Sequence, residues 1–205
     1  MTVTAALFDF GGVILSSPFD AFARYESTHG LPTNFIRTVN ATDPNANAWA
    51  RLERSEVDLD GFAAAFESES AALGHRIPGW DVLGLLAGDV RPKMVQAVRR
   101  CGTQLKTALL TNNVTGMEFN PAMAEIVALF DVVVESSVVG VRKPDPEFYE
   151  IACDRLEIEP TEAVFLDDLG INLKPARAMG MATIKVGDPA VAIRELEAIV
   201  GFSLS

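Results

Sequence analysis

Cysteine is scarce in this 205-residue chain: Cys101 and Cys153 are the only two, far apart, with no CxxC spacing. That pattern excludes a disulfide framework and a cysteine-based zinc site, and it fits reduced thiols in a cytoplasmic protein. No apolar run approaches the ~18 residues that a membrane span requires. The opening residues MTVTAALFDFGG carry no basic flank ahead of their short apolar run, so they are not expected to form a secretory signal. Internal repeats and low-complexity segments are also missing. Basic residues are few: 17 Lys and Arg against 28 Asp and Glu give a net charge of −11. A surface this acidic has no general electrostatic reason to bind nucleic acid or an anionic membrane.

What is present is an ample supply of core residues, 49% hydrophobic with 22% charged, as in a folded globular protein. Ala5–Phe10 is a compact apolar run ended by Gly11-Gly12, and it reads as a buried strand and a sharp turn. From about residue 16 to 88 the pattern is helical. Phe19, Phe22, Ala23 and Glu26 share one helix face, as do Phe62, Ala65, Phe66 and Leu73, with Asp58 or Asp60 as the cap. Beyond Val90 the text alternates. Helices are expected at Pro92–Arg100, Pro121–Leu129, Pro146–Leu156, Asn172–Met179 and Ala190–Val200. Strands are expected at Ala108–Thr111, Val132–Glu135, Ala163–Leu166 and Thr183–Val186. Short strands alternating with helices of about ten residues predict a parallel sheet covered on both faces. The expected fold is therefore α/β, a Rossmann-like doubly wound core of residues 1–15 and 88–205, with an α-helical cap, residues 16–87, inserted after the first strand. A segment that long is not an ordinary loop.

Open parallel sheets bind ligands at the carboxyl ends of their strands, so the polar residue closing each apolar run matters. The first run ends in Asp9, the second in Thr111-Asn112, and AVFL ends in Asp167-Asp168. Strand Val132–Glu135 leads into Gly140-Val141-Arg142-Lys143-Pro144. Each has a bland reading as turn or capping chemistry. Together they deliver two carboxylate sites, a hydroxyl and a lysine to one sheet edge, which suits phosphoryl transfer. Asp9 with Asp167-Asp168 makes a hard oxygen site for Mg²⁺, and Asp9 is placed to attack phosphorus. Thr111 and nearby backbone N–H groups would hold phosphoryl oxygens. Lys143 would neutralise the nucleophile and the transferring group.

These same residues carry a family resemblance. Phe8-Asp9-Phe10-Gly11-Gly12-Val13, Leu110-Thr111-Asn112, Gly140–Pro146 and Phe165–Asn172, in that order, resemble the four motifs of the haloacid dehalogenase superfamily of hydrolases, in the subgroup with a cap after the first motif. The likeness spans the chain, and Phe165–Gly180 is similar to the phosphatase domain of soluble epoxide hydrolases and to bacterial glucose-1-phosphate phosphatases. The resemblance implies Asp9 as nucleophile, with Thr111, Asn112 and Lys143 on the substrate. It implies a metal held by Asp9, the Gly11 carbonyl and Asp168, with Asp167 acting through water and Asn172 supporting the site. It departs at Gly11, where the family's phosphatases usually carry a second Asp as general acid and base.

The expected function is a Mg²⁺-dependent phosphatase of a small phosphorylated metabolite, working through an aspartyl-phosphate. The alternatives are a 2-haloacid dehalogenase, whose attack on carbon needs no metal, and a catalytically weak phospho-ligand-binding or regulatory protein, which Gly11 keeps open. The expected partner is the small-molecule substrate. Monomer and homodimer are equally compatible with the sequence.

Overall fold

Five strands form one all-parallel sheet: β1 (Ala5–Phe8), β2 (Lys106–Thr111), β3 (Val132–Glu135), β4 (Ala163–Asp167) and β5 (Ala182–Lys185). Their order across the sheet is β3-β2-β1-β4-β5. The computed structural model describes residues 2–114 and 121–204, without the side chains of residues 121 and 122. The α/β architecture expected from the alternating pattern is the one observed. No helix among the described residues is long and apolar enough to cross a membrane.

The strands are apolar on both faces because helices cover both. Ala6, Phe8, Leu109, Val164 and Leu166 pack with Met94, Ala97 and Val98 of α6 (Pro92–Cys101) and with Ala192, Ile193 and Leu196 of α11 (Pro189–Val200). Ala5, Leu7, Ala108, Leu110 and Phe165 face the other way. They meet Phe148, Tyr149 and Ala152 of α9 (Pro146–Leu156) and Leu173 and Ala176 of α10 (Gly170–Ala178). Alternate residues of each strand thus serve alternate layers.

Strand order fixes the position of the site. The chain runs outward from β1 to β2 and β3, then crosses to β4 and β5 on the other side, so the direction of winding reverses at β1. Ligands bind in the crevice that such a reversal opens beyond the strand ends. The β1–β4 register pairs Phe8 with Leu166. The next residues, Asp9 and Asp167, therefore stand side by side at that crevice, and the Asp9 amide donates to the Leu166 carbonyl at 2.9 Å.

Strand β1 is shorter than the sequence suggests. It ends at Phe8, and Phe10–Ile14 form an irregular turn closed by the Leu15 amide donating to the Phe10 carbonyl, with the Asp9 carboxylate accepting from the Phe10 amide. Two short helical pieces were not expected, α8 (Ser136–Val139) directly after β3 and a single turn at Pro160–Glu162 before β4; elsewhere in the core the differences are shifts of a residue or two at element ends. The helix expected from Pro121 ends at Val127, and the one expected from Asn172 begins at Gly170.

Between β1 and α6 lie five helices: α1 (Pro18–Thr28), α2 (Phe35–Ala41), α3 (Ala48–Glu53), α4 (Leu59–Ala72) and α5 (Gly79–Gly84). They share their own apolar cluster, including Phe22, Ile36, Leu52, Phe62, Phe66 and Val82, and Val114 of the sheet side packs into it. The chain enters and leaves this block at one neck, where Leu15 bridges Val90 and the Ser16 amide donates to the Asp89 carbonyl at 2.8 Å. Of the two acids expected to cap α4, Asp58 does so, accepting from the Gly61 amide.

The start of α2 is capped from outside. Asn34, at its N-cap, sits at φ 63° and makes no side-chain cap. Glu26 of α1 supplies the bonds instead, accepting from the Asn34 amide at 2.8 Å and the Ile36 amide at 2.9 Å, with only 3% of its surface exposed. Replacing it strands the buried Ile36 amide, at a cost of about 1–3 kcal/mol, and leaves the part-buried Asn34 amide to water. Glu26→Ala is therefore expected to lower the free energy of unfolding by about 1–3 kcal/mol, read from urea midpoints. Glu26→Gln, which keeps an acceptor oxygen, should lose less.

Candidate active site

Lys143 stands at the centre of the strand-end crevice. Its chain position, between Arg142 and Pro144, gives the look of a solvent-facing turn, yet the residue is 1% exposed. Its Nζ lies 2.8 Å from Asp9 Oδ1 and 2.9 Å from Asp167 Oδ2. Burial works to lower the pKa of this ammonium, and the Asp167 and Asp9 carboxylates outweigh it, so the net shift is upward and Lys143 stays charged. Burial pushes the Asp9 carboxyl well above its usual range. Lys143 pulls it back in part, and Asp167 and Asp168 add repulsion.

The adjacent acids have different surroundings. Asp167 is wholly buried, and its oxygens are fully engaged. Oδ1 accepts from the Leu169 amide at 2.8 Å and Asn172 Nδ2 at 3.1 Å, and Oδ2 accepts from Lys143 and, at 3.0 Å, from the same Asn172 amide. Asp168 is partly exposed and accepts from Ser17 Oγ at 3.2 Å. Burial and then the neighbouring Asp167 push its pKa up to about 6. Asp9, Asp167 and Asp168 each place a carboxylate oxygen within 4.8 Å of the others. Three carboxylates against one ammonium leave a surplus of negative charge. Such a close group of hard oxygen donors fits a small divalent cation.

Two glycines follow Asp9 and differ in kind. Gly12 has φ +74°, and a Cβ there would fall 2.2 Å from Asp168 Oδ2, so the fold requires glycine. Gly11 has φ −68° and ψ 134°, open to any L-residue, and a Cβ there would meet nothing within 4 Å.

Of the residues singled out in the sequence, Asp9, Lys143 and Asp167 are in direct contact, and Asp168 completes the carboxylate group. Asn172 holds Asp167, and Gly11 adjoins Asp9. Thr111 closes β2 and is 5% exposed. Asn112 is engaged with protein. Its Oδ1 accepts from the Lys143 amide at 2.9 Å, and its Nδ2 donates to the Lys143 carbonyl at 3.0 Å and to Glu53 Oε2 at 3.2 Å. Sequence reasoning missed Glu53, Arg142 and Ser17. Glu53 lies on α3 and pairs with Arg142 Nε at 2.7 Å. Burial pushes its pKa up against the pull of Arg142 and Lys143. No local pattern marks Glu53, because its partners are 59 and 89 positions away. Arg91 was equally unmarked, and it donates to the Gly12 carbonyl.

The haloacid dehalogenase-like hydrolase family matches residues 3–180. Bifunctional epoxide hydrolase 2 of Sus scrofa is 34% identical over 221 residues, covering 100% of this chain. The chain spans 40% of that relative's length and 19% of another's. A sesquiterpene phosphatase of Aspergillus oryzae is 27% identical over 205 residues, with 98% of each chain covered. Among solved structures, a haloacid dehalogenase family enzyme of Bacteroides thetaiotaomicron in complex with magnesium and inorganic phosphate superposes with a TM-score of 0.60 at 16% identity, covering 91% of this chain and 96% of its own.

The raised Asp168 carboxyl makes the metal-free protein pH-sensitive. A folded pKa of about 6 above the ordinary 3.8 means that Asp168 imposes no penalty below the unfolded value. The penalty grows as pH rises through about 6. Asp168→Asn removes that charge and keeps an acceptor for Ser17. In chelator-treated protein, thermal midpoints of variant and wild type should be close near about pH 4 and diverge in favour of the variant by about pH 7.

Proposed function

Because the chain belongs to the haloacid dehalogenase-like hydrolases, we propose that it is a Mg²⁺-dependent phosphatase of a small phosphorylated metabolite. The observation that carries this reading is the buried Asp9–Lys143–Asp167 triad beside the partly exposed Asp168. Asp9 and Asp168, with the Gly11 carbonyl, are the residues that would hold Mg²⁺, which when bound supplies positive charge to the phosphoryl oxygens. The phosphatase-named relative that matches along its whole length supports the same class.

The protein's own groups then divide the work. Asp9 Oδ1 is held by the Phe10 amide at 2.6 Å and by Lys143, which leaves Oδ2 to form the bond to phosphorus. As that bond forms, the bond from phosphorus to the substrate oxygen breaks, and the departing oxygen takes a proton from water. Lys143 favours the ionised form of Asp9 against the effect of burial and offsets charge on the transferring group. Thr111 borders the same edge and would hold a phosphoryl oxygen. Water then attacks the aspartyl-phosphate, releasing inorganic phosphate and restoring Asp9. The helical block of residues 16–87 acts as a cap that limits water and selects the substrate. The dehalogenase alternative has less support, since attack at carbon leaves the carboxylate group without a use.

Purified protein should release inorganic phosphate from phosphorylated metabolites only with Mg²⁺ present, and Asp9→Asn should abolish turnover while leaving the circular dichroism spectrum unchanged. Calorimetric Mg²⁺ titration should show a larger loss for Asp168→Asn than for Asp167→Asn. Equal losses, or a variant at position 9 that retains most of its rate, would overturn the assignment.

Gly11 supplies no proton to the leaving oxygen, so rates should depend steeply on leaving-group pKa, with aryl and anomeric phosphates cleaved far faster than alkyl ones. The open space and ordinary backbone at Gly11 accommodate an aspartate. Gly11→Asp is expected to flatten that dependence and raise the alkyl rate by up to ~10²-fold. An unchanged dependence in a folded variant with normal Mg²⁺ affinity would show that another group already protonates the leaving oxygen.

A further inference from the structure

The mechanism leaves one half-buried charged pair unused, Glu53 with Arg142. Glu53 belongs to the last turn of α3, in the inserted helical block, whereas Arg142 immediately precedes the active-site lysine. The side chains are 16% and 21% exposed, so this is not a solvated surface pair of little consequence. Glu53 Oε2 is the shared atom. It lies 2.7 Å from Arg142 Nε and accepts from Asn112 Nδ2 at 3.2 Å.

Asn112 makes this contact consequential. Its side-chain amide clamps the backbone of Lys143 from both sides, accepting from the amide and donating to the carbonyl. That pairing fixes which way the Asn112 amide faces, and the direction presents Nδ2 to Glu53. One carboxylate oxygen thus ties together the residue that clamps Lys143 and the residue that precedes it. Lys143 in turn sets its Nζ on Asp9 and Asp167. Two further bonds join the helical block to the same edge: Arg142 Nη1 to the Pro44 carbonyl at 3.1 Å, and Ser55 Oγ to the Ser137 carbonyl at 3.0 Å.

We propose that Glu53 is a positioning residue of the hydrolase: a carboxylate delivered by the cap that, through Asn112 and Arg142, holds the Lys143 backbone where its ammonium meets Asp9. The fold of the sheet places Asp9 and Asp167 without help from the cap, since both lie at strand ends in register. Lys143 sits on a connection between β3 and α9, where no strand pairing fixes it. The cap therefore completes the site by ordering its lysine, and Glu53 need never touch substrate. The catalytic consequence rests on the phosphatase reading above, whereas the structural link stands apart from it.

The test uses the full chain, an aryl phosphate with Mg²⁺, and Glu53→Ala, Arg142→Ala and the double variant. A misplaced Lys143 should lower kcat by on the order of 10²-fold while KM changes little. The three variants should fall to a common level, because residues acting as one unit are not additive. Glu53→Gln keeps an acceptor for Asn112 and loses the ionic partner of Arg142. It should lie between Glu53→Ala and wild type, and it takes the place of Glu53→Ala if that variant fails to fold. A merely structural role would lower the melting temperature and leave kcat per folded molecule unchanged. Hydrogen exchange gives a readout independent of turnover: the Lys143 amide should exchange faster in Glu53→Ala, while amides within α4 keep the wild-type rate. Unchanged exchange at Lys143, additive losses, or a kcat within about twofold of wild type would overturn the proposal. If wild-type protein hydrolyses no phosphate ester, the phosphatase reading fails, and the exchange result alone decides whether Glu53 positions Lys143.

Discussion

A fully buried ammonium held between two carboxylates is the constraint on which the rest of this structure depends. Burying a single charge costs several kcal/mol, and the cost is recovered only where partners and hydrogen bonds are complete. Lys143 meets that condition through Asp9 and Asp167, and Asp167 through the Leu169 amide and Asn172. Asn172 is secured in its turn, since Tyr149 donates to its carbonyl at 2.7 Å. Removing Lys143 leaves two buried carboxylates without their cation, a loss of the kind that typically costs about 3–5 kcal/mol. The motif residues are therefore structural as well as chemical, and the strand ends could not be rearranged around a different polar set without unpairing them.

The arrangement is deliberately incomplete at one point. Asp168 has Ser17 for a partner and no neighbouring cation as close as Lys143 is to Asp9 and Asp167. Burial and then the neighbouring Asp167 raise the pKa of its carboxyl, and its charge contributes to raising that of Asp9. Adjacent acids at a strand end repel, and here the two solve the problem differently. Asp167 turns inward and is neutralised by Lys143, whereas Asp168 turns outward and remains available. A destabilised charge of this kind is a common cost of a functional site. It also suits the proposed metal role, because a bound cation would relieve the repulsion that folding creates.

How much of this was legible in the sequence follows from the range of each interaction. Strand ends were legible because apolar runs stop at polar residues, and the register of neighbouring strands then aligns Asp9 with Asp167. The helical nature of the insert was legible from periodicity. Which strand residues face which layer was not, because a strand buried on both sides has no alternation to read. The end of β1 was misjudged by two residues because Phe10 is apolar, while the chain turns earlier, as the Asp9 carboxylate takes the Phe10 amide. Glu26 reads as one more position on a helix face, yet it caps the following helix across eight residues. Glu53 has no mark in the sequence, and Arg142 stands in a motif with no role of its own, until the fold brings α3 to the Lys143 loop. Local patterns report local causes, and these pairs form only once the tertiary structure exists.

The consecutive glycines after Asp9 show how structure separates two roles that sequence merges. Gly11-Gly12 reads as a single turn signal, and turn chemistry alone would account for both. Backbone conformation divides them. Gly12 lies in the left-handed region with the Asp168 carboxylate where its Cβ would stand, so any side chain would strain the chain and displace a carboxylate of the site. Gly11 adopts dihedrals that any residue tolerates and faces open space. The fold thus accounts for one glycine and is indifferent to the other. In the phosphatase proposed above the consequence of Gly11 is chemical: the position two residues after the nucleophile carries no titratable proton. On that reading the departing oxygen would rely on water, or on its own stability as an anion, and the choice of substrate would be bound to the acidity of what is released.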